Sequence, residues 1–128
     1  MKQDTLKIIT EISTFNNFNI HQLDIKAAYL NTSLQENIYM RTPEGTSINL
    51  KYCKLNKALY ELKQAGRMWN ETLNQVLIKI KFKRLISDPC LYIKVNKENK
   101  IICILGVYID DIILFGTDEE IIITKVLL

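Results

Sequence analysis

The sequence predicts an α+β fold in which helices pack on one face of an antiparallel sheet. Three observations predict it. Apolar residues recur at helical spacing near the start and in the middle of the chain. Short apolar runs of strand length lie between and after those segments. Several of the links between strands are short polar turns, which join antiparallel neighbours rather than βαβ crossovers. The expected order is α, β, β, β, α, β, β, β, α.

The first helix runs from Asp4, as its N-cap, to about Phe18, because Leu6, Ile9, Ile12, Phe15 and Phe18 recur every three residues with Ile8 beside them. Asn16, Asn17 and Asn19 mark its end. Ile20–Ile25 is a strand that carries Asp24 near its end, and a turn or short helix follows over Ala27–Leu34. Ile38–Arg41 and Lys51–Leu55 are strands joined through a turn at Pro43, Glu44 and Gly45. Lys57–Gln64 is helical, with Gly66 weakening or bending the run. Trp69, Leu73, Val76, Leu77 and Ile80 then define a long amphipathic helix, broken off by Asp88-Pro89. Cys90–Val95 and Ile101–Ile109 are strands linked by the polar turn NKENK, and Ile112–Phe115 is another. Thr117 and Glu120 have capping-box spacing and open a last helix. That helix has hardly begun when the chain ends at Leu128, which suggests a truncated domain.

The chain has 128 residues, enough for one domain or part of one, and at 48% hydrophobic and 24% charged it can bury a core. Its charge is unevenly spread. Residues 1–50 carry four Lys/Arg against five Asp/Glu, residues 51–100 twelve against four, and residues 101–128 one against five. A basic middle and an acidic end suit a protein that holds a polyanion in one place and cations in another, although a solvated surface has the same appearance.

Cys53, Cys90 and Cys103 are odd in number and widely spaced, and His21 is the sole histidine. This argues against a zinc site or a disulfide framework and for buried, reduced intracellular thiols. Thr10, Glu11 and Ser13 interrupt the apolar run that a signal peptide needs. The segment Ile101–Gly116 is too short to span a membrane, and it contains Asp110 and Asp111. Each acid would cost about 2.5–3.5 kcal/mol on insertion.

Those two acids are the sharpest feature. Tyr108-Ile109-Asp110-Asp111 sits between the apolar runs IICILGV and IILF. Adjacent carboxylates repel and resist burial, so they are tolerated at a protruding turn or beside a divalent cation. Mg²⁺ takes oxygen ligands and leaves positions open for phosphates. Asp24, at the end of its own apolar strand, is the obvious third donor, but spacing alone does not bring it to Asp110.

Three ordered blocks, HQLDIKAAYLN (21–31), ALYELKQAGRMW (58–69) and GVYIDDIILFG (106–116), resemble those of copia-type retrotransposon reverse transcriptases. The stretches ENIYMRTPEG, YCKLNKALY and FKRLISDPCLYI are similar to the same family, and the resemblance covers about residues 6–120. It implies a polymerase palm-like sheet within a partial domain over 1–128, comprising the palm and part of the fingers, with the N-terminal fingers, thumb and RNase H region lying elsewhere. It implies that Asp24, Asp110 and Asp111 hold two Mg²⁺ ions, with Mn²⁺ as a substitute. These would serve attack of a primer 3′-hydroxyl on the α-phosphate of a dNTP, directed by an RNA or DNA template.

Tyr29 matches the ring that closes the pocket against a ribose 2′-hydroxyl, and Gln64 matches the block lining the nucleotide side. Ile25, next to Asp24, falls in the nucleotide-binding set. Lys63, Arg67, Lys81, Lys83 and Arg84, with Lys79, would contact nucleic-acid phosphates; a solvated basic face is the alternative for each. Trp69 is expected in the core, and His21 in a structural hydrogen bond. The resemblance also implies a polyprotein context, no membrane partner, and an intracellular location, cytoplasmic (in a virus-like particle) or nuclear. The sequence departs from the family at Glu61, where a glycine is usual, and near Ala65-Gly66, where a small residue is followed by proline or alanine. The extra negative charge at Glu61 lies close to a site for polyanions. A non-catalytic remnant that binds nucleic acid is the alternative function, and a small domain with a solvated Asp-Asp turn is a third.

Overall fold

A computed structural model describes residues 1–25, 39–47, 49–56, 65–108 and 111–128. The chain divides into two compact units, residues 1–26 with 73–128, and residues 27–72. The larger unit is built on a five-stranded antiparallel sheet formed by β1 (Asn19–Asp24), β4 (Lys83–Arg84), β5 (Leu91–Val95), β6 (Ile101–Tyr108) and β7 (Asp111–Gly116), in the order β1-β7-β6-β5-β4. In the smaller unit β2 (Tyr39–Arg41) pairs antiparallel with β3 (Tyr52–Lys54). The turn between them uses Gly45 at φ 81°, a conformation glycine adopts without steric cost. The helices are α1 (Gln3–Phe15), α2 (Ala65–Lys79) and α3 (Asp118–Leu127). The α+β class and the antiparallel sheet agree with the sequence. The two-residue edge strand β4 was not expected.

The expectation that helices cover one face of the sheet is corrected. Side chains alternate between faces along a strand, so β6 can bury both sets only if both faces are covered. It does: Cys103, Ile104, Leu105 and Val107 are all buried. Ile9 of α1 packs with Leu91, Ile104 and Phe115, joined by Leu6, Ile12, Ile93 and Ile113. The neighbours of those strand residues belong to the other face. There, Tyr92 donates from its hydroxyl to Asn74 of α2 at 3.1 Å, and Lys94 pairs with Glu120 of α3 at 2.9 Å. Thus α1 lies on one face, and α2 and α3 on the other. Each fully buried Leu, Ile or Phe contributes about 1.5–3 kcal/mol, so the two apolar layers dominate the stability of this unit.

The helix ends differ in detail from the expected ones. Lys2, not Asp4, is the N-cap of α1, and its side chain makes no capping bond. The backbone N–H of Lys2 donates instead to Asp88 Oδ2 at 3.1 Å. At the C-terminus Asn17 takes φ 54°, and the N–H groups of Phe18 and Asn17 bond back to Ser13 and Thr14. The same double bond closes α2: Lys81 takes φ 75°, Phe82 N–H reaches Leu77 O, and Lys81 N–H reaches Ile78 O. Hence α2 stops at Lys79, well before Asp88-Pro89. Thr117 caps α3 as expected, accepting from Glu120 N–H. The Glu120 carboxylate, however, goes to Lys94 rather than back to the cap.

The helical expectations over Ala27–Leu34 and Lys57–Gln64 lie outside the described residues. Among those described, no helix is long and apolar enough to cross a membrane.

Candidate active site

The register of β7 assembles the candidate site. Leu23 pairs with Ile112 and His21 with Leu114, so the strands match their apolar sides toward α2 and α3. A slip by one residue would turn each set onto the wrong face, which makes this register strongly specified. The same register puts Asp24, the last residue of β1, directly opposite Asp111, the first of β7. On its other side Asp111 is the partner of Tyr108, the last residue of β6. The three residues form one row across three strands.

Direct partners share a face, with Cβ atoms about 4.5–5.5 Å apart. Asp111 alternates with Ile113 and Phe115, so the row opens on the face that carries α1, past the end of its apolar core. Asp24 is exposed and Asp111 half-buried, and Tyr108 is 63% exposed. Neither carboxylate forms an ion pair with a described residue. Two anions held opposite each other are mutually repulsive, and a hard cation between them would relieve that cost. The donor set therefore fits Mg²⁺ or Mn²⁺: oxygen ligands, open to solvent, with no lysine or arginine among the described residues already neutralising them. Asp110 lies outside the described residues, so the described part of the site is a pair. No group of three or more metal-capable side chains occurs among the described residues.

The other expected site residues fall in several places. Tyr29, Gln64, Lys63 and Glu61 are outside the described residues. Ile25 follows Asp24 and is half-buried. Arg67 is exposed near the start of α2, in the smaller unit. Lys79, Lys81, Lys83 and Arg84 are all exposed. Arg84 is already engaged, donating from Nε to the carbonyl of Pro89 at 2.7 Å with its guanidinium 5.9 Å from the Tyr92 ring. Trp69 is buried. His21 Nδ1 lies 2.9 Å from Lys125 Nζ, a structural bond that ties β1 to α3.

Sequence reasoning took Asp88 for a helix breaker and missed its role. It is 4% exposed and accepts from the N–H groups of Lys2 and Cys90 at 3.1 Å each. Burial opposes its ionisation, but these bonds, with the positive charge of the Met1 ammonium and the Thr5 hydroxyl, outweigh it and hold the carboxyl below its ordinary range. An Asp followed by Pro is the local signal, since such a side chain readily accepts from the N–H two residues on. Cys103 is fully buried, and burial followed by the charge of Glu120 pushes its thiol up to about 11. It is an inert packing residue, whereas Cys53 and Cys90, also expected to be buried, are only half-buried.

Comparison with known proteins agrees with the resemblance of the three sequence blocks. A family model described as reverse transcriptase (RNA-dependent DNA polymerase) matches residues 1–126. The retrovirus-related Pol polyprotein from transposon TNT 1-94 of Nicotiana tabacum is 37% identical over 125 residues, 95% of this chain and 9% of that protein. The corresponding polyprotein from transposon RE1 of Arabidopsis thaliana is 34% identical over 125 residues, 95% of this chain and 8% of its own length. The truncated transposon Ty1-A Gag-Pol polyprotein of Saccharomyces cerevisiae is 38% identical over 104 residues, 80% of this chain and 8% of that protein. The chain thus spans under a tenth of the length of these relatives. No solved structure matches it. With a family model matched almost from end to end, and a row of carboxylates at the hairpin where the YIDD block falls, the chain belongs to the reverse transcriptase (RNA-dependent DNA polymerase) family, in its copia-type branch.

Proposed function

We propose that this chain is the palm, with part of the fingers, of an RNA-directed DNA polymerase that transfers dNTPs to a primer 3′-hydroxyl on an RNA or DNA template. The observation that carries this reading is the pairing of Asp24 with Asp111 at the open end of the sheet, one residue from Asp110 in the sequence. Asp24, Asp110 and Asp111 would hold two Mg²⁺ ions. When bound, such ions lower the pKa of the attacking hydroxyl and neutralise the leaving pyrophosphate. The chain's own contribution is placement. The strand register holds two carboxylates side by side before any ion arrives, and phosphoryl transfer depends chiefly on such positioning. Tyr29 excludes a ribose 2′-hydroxyl, Ile25 and Gln64 line the nucleotide pocket, and Lys63, Arg67, Lys81, Lys83 and Arg84 contact the backbone of primer and template. The whole polymerase works within a larger polyprotein, whose further segments grip the triphosphate and the duplex.

The test is a chimaera in which residues 1–126 replace the matching span of a Pol polyprotein relative. Mg²⁺-dependent dNTP incorporation is expected, and Asp24→Asn, Asp110→Asn and Asp111→Asn should each reduce it by at least about 10²-fold, the usual cost of losing one charge stabiliser. Incorporation that survives Asp24→Asn and Asp110→Asn unchanged defeats the assignment. The isolated chain should show no primer extension, and Glu61→Gly in the chimaera should increase incorporation by removing an anion near the polyanion site.

A further inference from the structure

The sheet has a second charged end. The β6–β7 hairpin and the end of β1 carry the carboxylates, and the β5–β6 turn lies at the other end of the same strands. That turn, Asn96–Lys100, is closed by hydrogen bonds of Asn96. Asn96 Oδ1 accepts from the N–H groups of Glu98 and Lys100, Asn96 N–H donates to Lys100 O at 2.9 Å, and Asn99 takes φ 62°. Lys97 and Lys100 project from it, both exposed. Strand β4 brings further cations to the same end. It runs antiparallel to β5 with Lys83 opposite Ile93, so the residues before it continue toward Val95 and the turn. The ammonium of Lys94 lies 5.9 Å from the Phe82 ring, in keeping with that continuation. The closure of α2 at Lys81 then sets Lys79 and Lys81 beside the same corner.

The local acids offset this charge only in part: Glu98, with Asp118 and Glu119 in the exposed first turn of α3 at the same end, stand against these five lysines. Asp88 is buried and bonded to backbone, and Glu120 is paired with Lys94. Glu98 is the exposed acid of the turn, in contact with Lys100 at 3.5 Å. The eight residues of β6 separate the two ends by roughly 24 Å, at about 3.4 Å per residue. That is more than twice the distance over which salt screens exposed charges at physiological strength, so the basic end acts independently of the carboxylates.

We propose that Lys97 and Lys100 join Lys79, Lys81 and Lys83 in one contact surface for nucleic-acid backbone, at the end of the sheet opposite Asp24 and Asp111. The identity of the ligand rests on the polymerase reading; the location rests on the register. The surface recognises phosphate spacing and charge, not base sequence, because flexible ammonium groups on a sheet edge and a turn offer point charges without a groove-reading element.

The test is fluorescence anisotropy of the full chain with a labelled primer–template duplex of about two helical turns, across a salt series with EDTA present. Neutralising one phosphate contact changes the slope of log K against log salt by about 0.9. The triple variant Lys81→Gln, Lys97→Gln, Lys100→Gln should flatten the slope by about 2.7, and Glu98→Gln should tighten binding. A triple variant that melts like the wild type and keeps the wild-type slope overturns the proposal, as does a wild type that does not bind. Scrambling the duplex sequence should leave the affinity within about twofold, and a large preference for one sequence also counts against it. The carboxylate reading is scored separately, by the effect of Mn²⁺ on melting, so either can fail alone.

Discussion

Asp24 and Asp111 are direct partners across β1 and β7, two carboxylates held in one row by the same register that buries Ile112 and Leu114 and half-buries Leu23. Like charges in such a pair destabilise the folded state by a few tenths to about 1 kcal/mol. In the absence of divalent ions, Asp111→Asn should therefore raise the melting temperature slightly. With millimolar Mn²⁺ the order should reverse: at about ten times the dissociation constant the wild type gains about 1.4 kcal/mol. Asp24→Asn and Asp111→Asn should lose most of that gain. Differential scanning fluorimetry with and without Mn²⁺ decides the point, and equal shifts in all three proteins would rule out a metal site at this row.

Gly116 stands where β7 is squeezed between its neighbours, paired with both Asn19 and Cys103. A Cβ there would lie 2.9 Å from the carbonyl oxygen of Ile102, a backbone atom with little room to move. At Gly106 the nearest obstacle is the Met1 sulfur at 3.1 Å, the far end of a flexible side chain. Gly116→Ala should cost about 1–3 kcal/mol and Gly106→Ala much less. Urea unfolding of the two variants tests the ranking, and equal costs would contradict the packing described.

Asp88 ties the start of α1 to the start of β5. Its carboxyl is held below its ordinary value of 3.8, so its ionised form is favoured by folding. The stability it contributes is fully present above that unfolded value and is lost as pH falls through the lower folded one. Asp88→Ala removes the acceptor for two N–H groups and should cost about 1–3 kcal/mol at neutral pH. The variant's stability should also fall less than the wild type's between pH 5 and 2. Acid titration of the fold, followed by circular dichroism, would refute this if the two curves ran parallel.

Lys81 occupies the left-handed position that closes α2, at φ 75°. A non-glycine residue there carries a steric cost of about 1 kcal/mol that glycine avoids. Lys81→Gly should therefore stabilise the protein by up to about 1 kcal/mol while weakening duplex binding. The pairing of higher stability with lower affinity separates a role in binding from a role in folding. A variant that is stabilised yet binds as before would remove Lys81 from the proposed surface.

Much of this was legible in the chain itself. The spacing of Trp69, Leu73 and Leu77 gave α2, and all three are buried. Thr117 and Glu120 marked the start of α3. The apolar runs flanking YIDD marked β6 and β7, and the ordered blocks around Asp24 and Asp110-Asp111 marked the family. These are local signals: a period, a cap or a motif is complete within a few residues. Tertiary structure decided what depends on distant partners. It set α1 on one face and α2 and α3 on the other, because β6 is apolar on both sides and a strand's own pattern does not say which helix covers which side. It made Asp88 a clamp for Lys2, 86 residues away. It also brought Asp24 beside Asp111, since pairing between remote strands is set by matching whole apolar faces and not by the acids themselves.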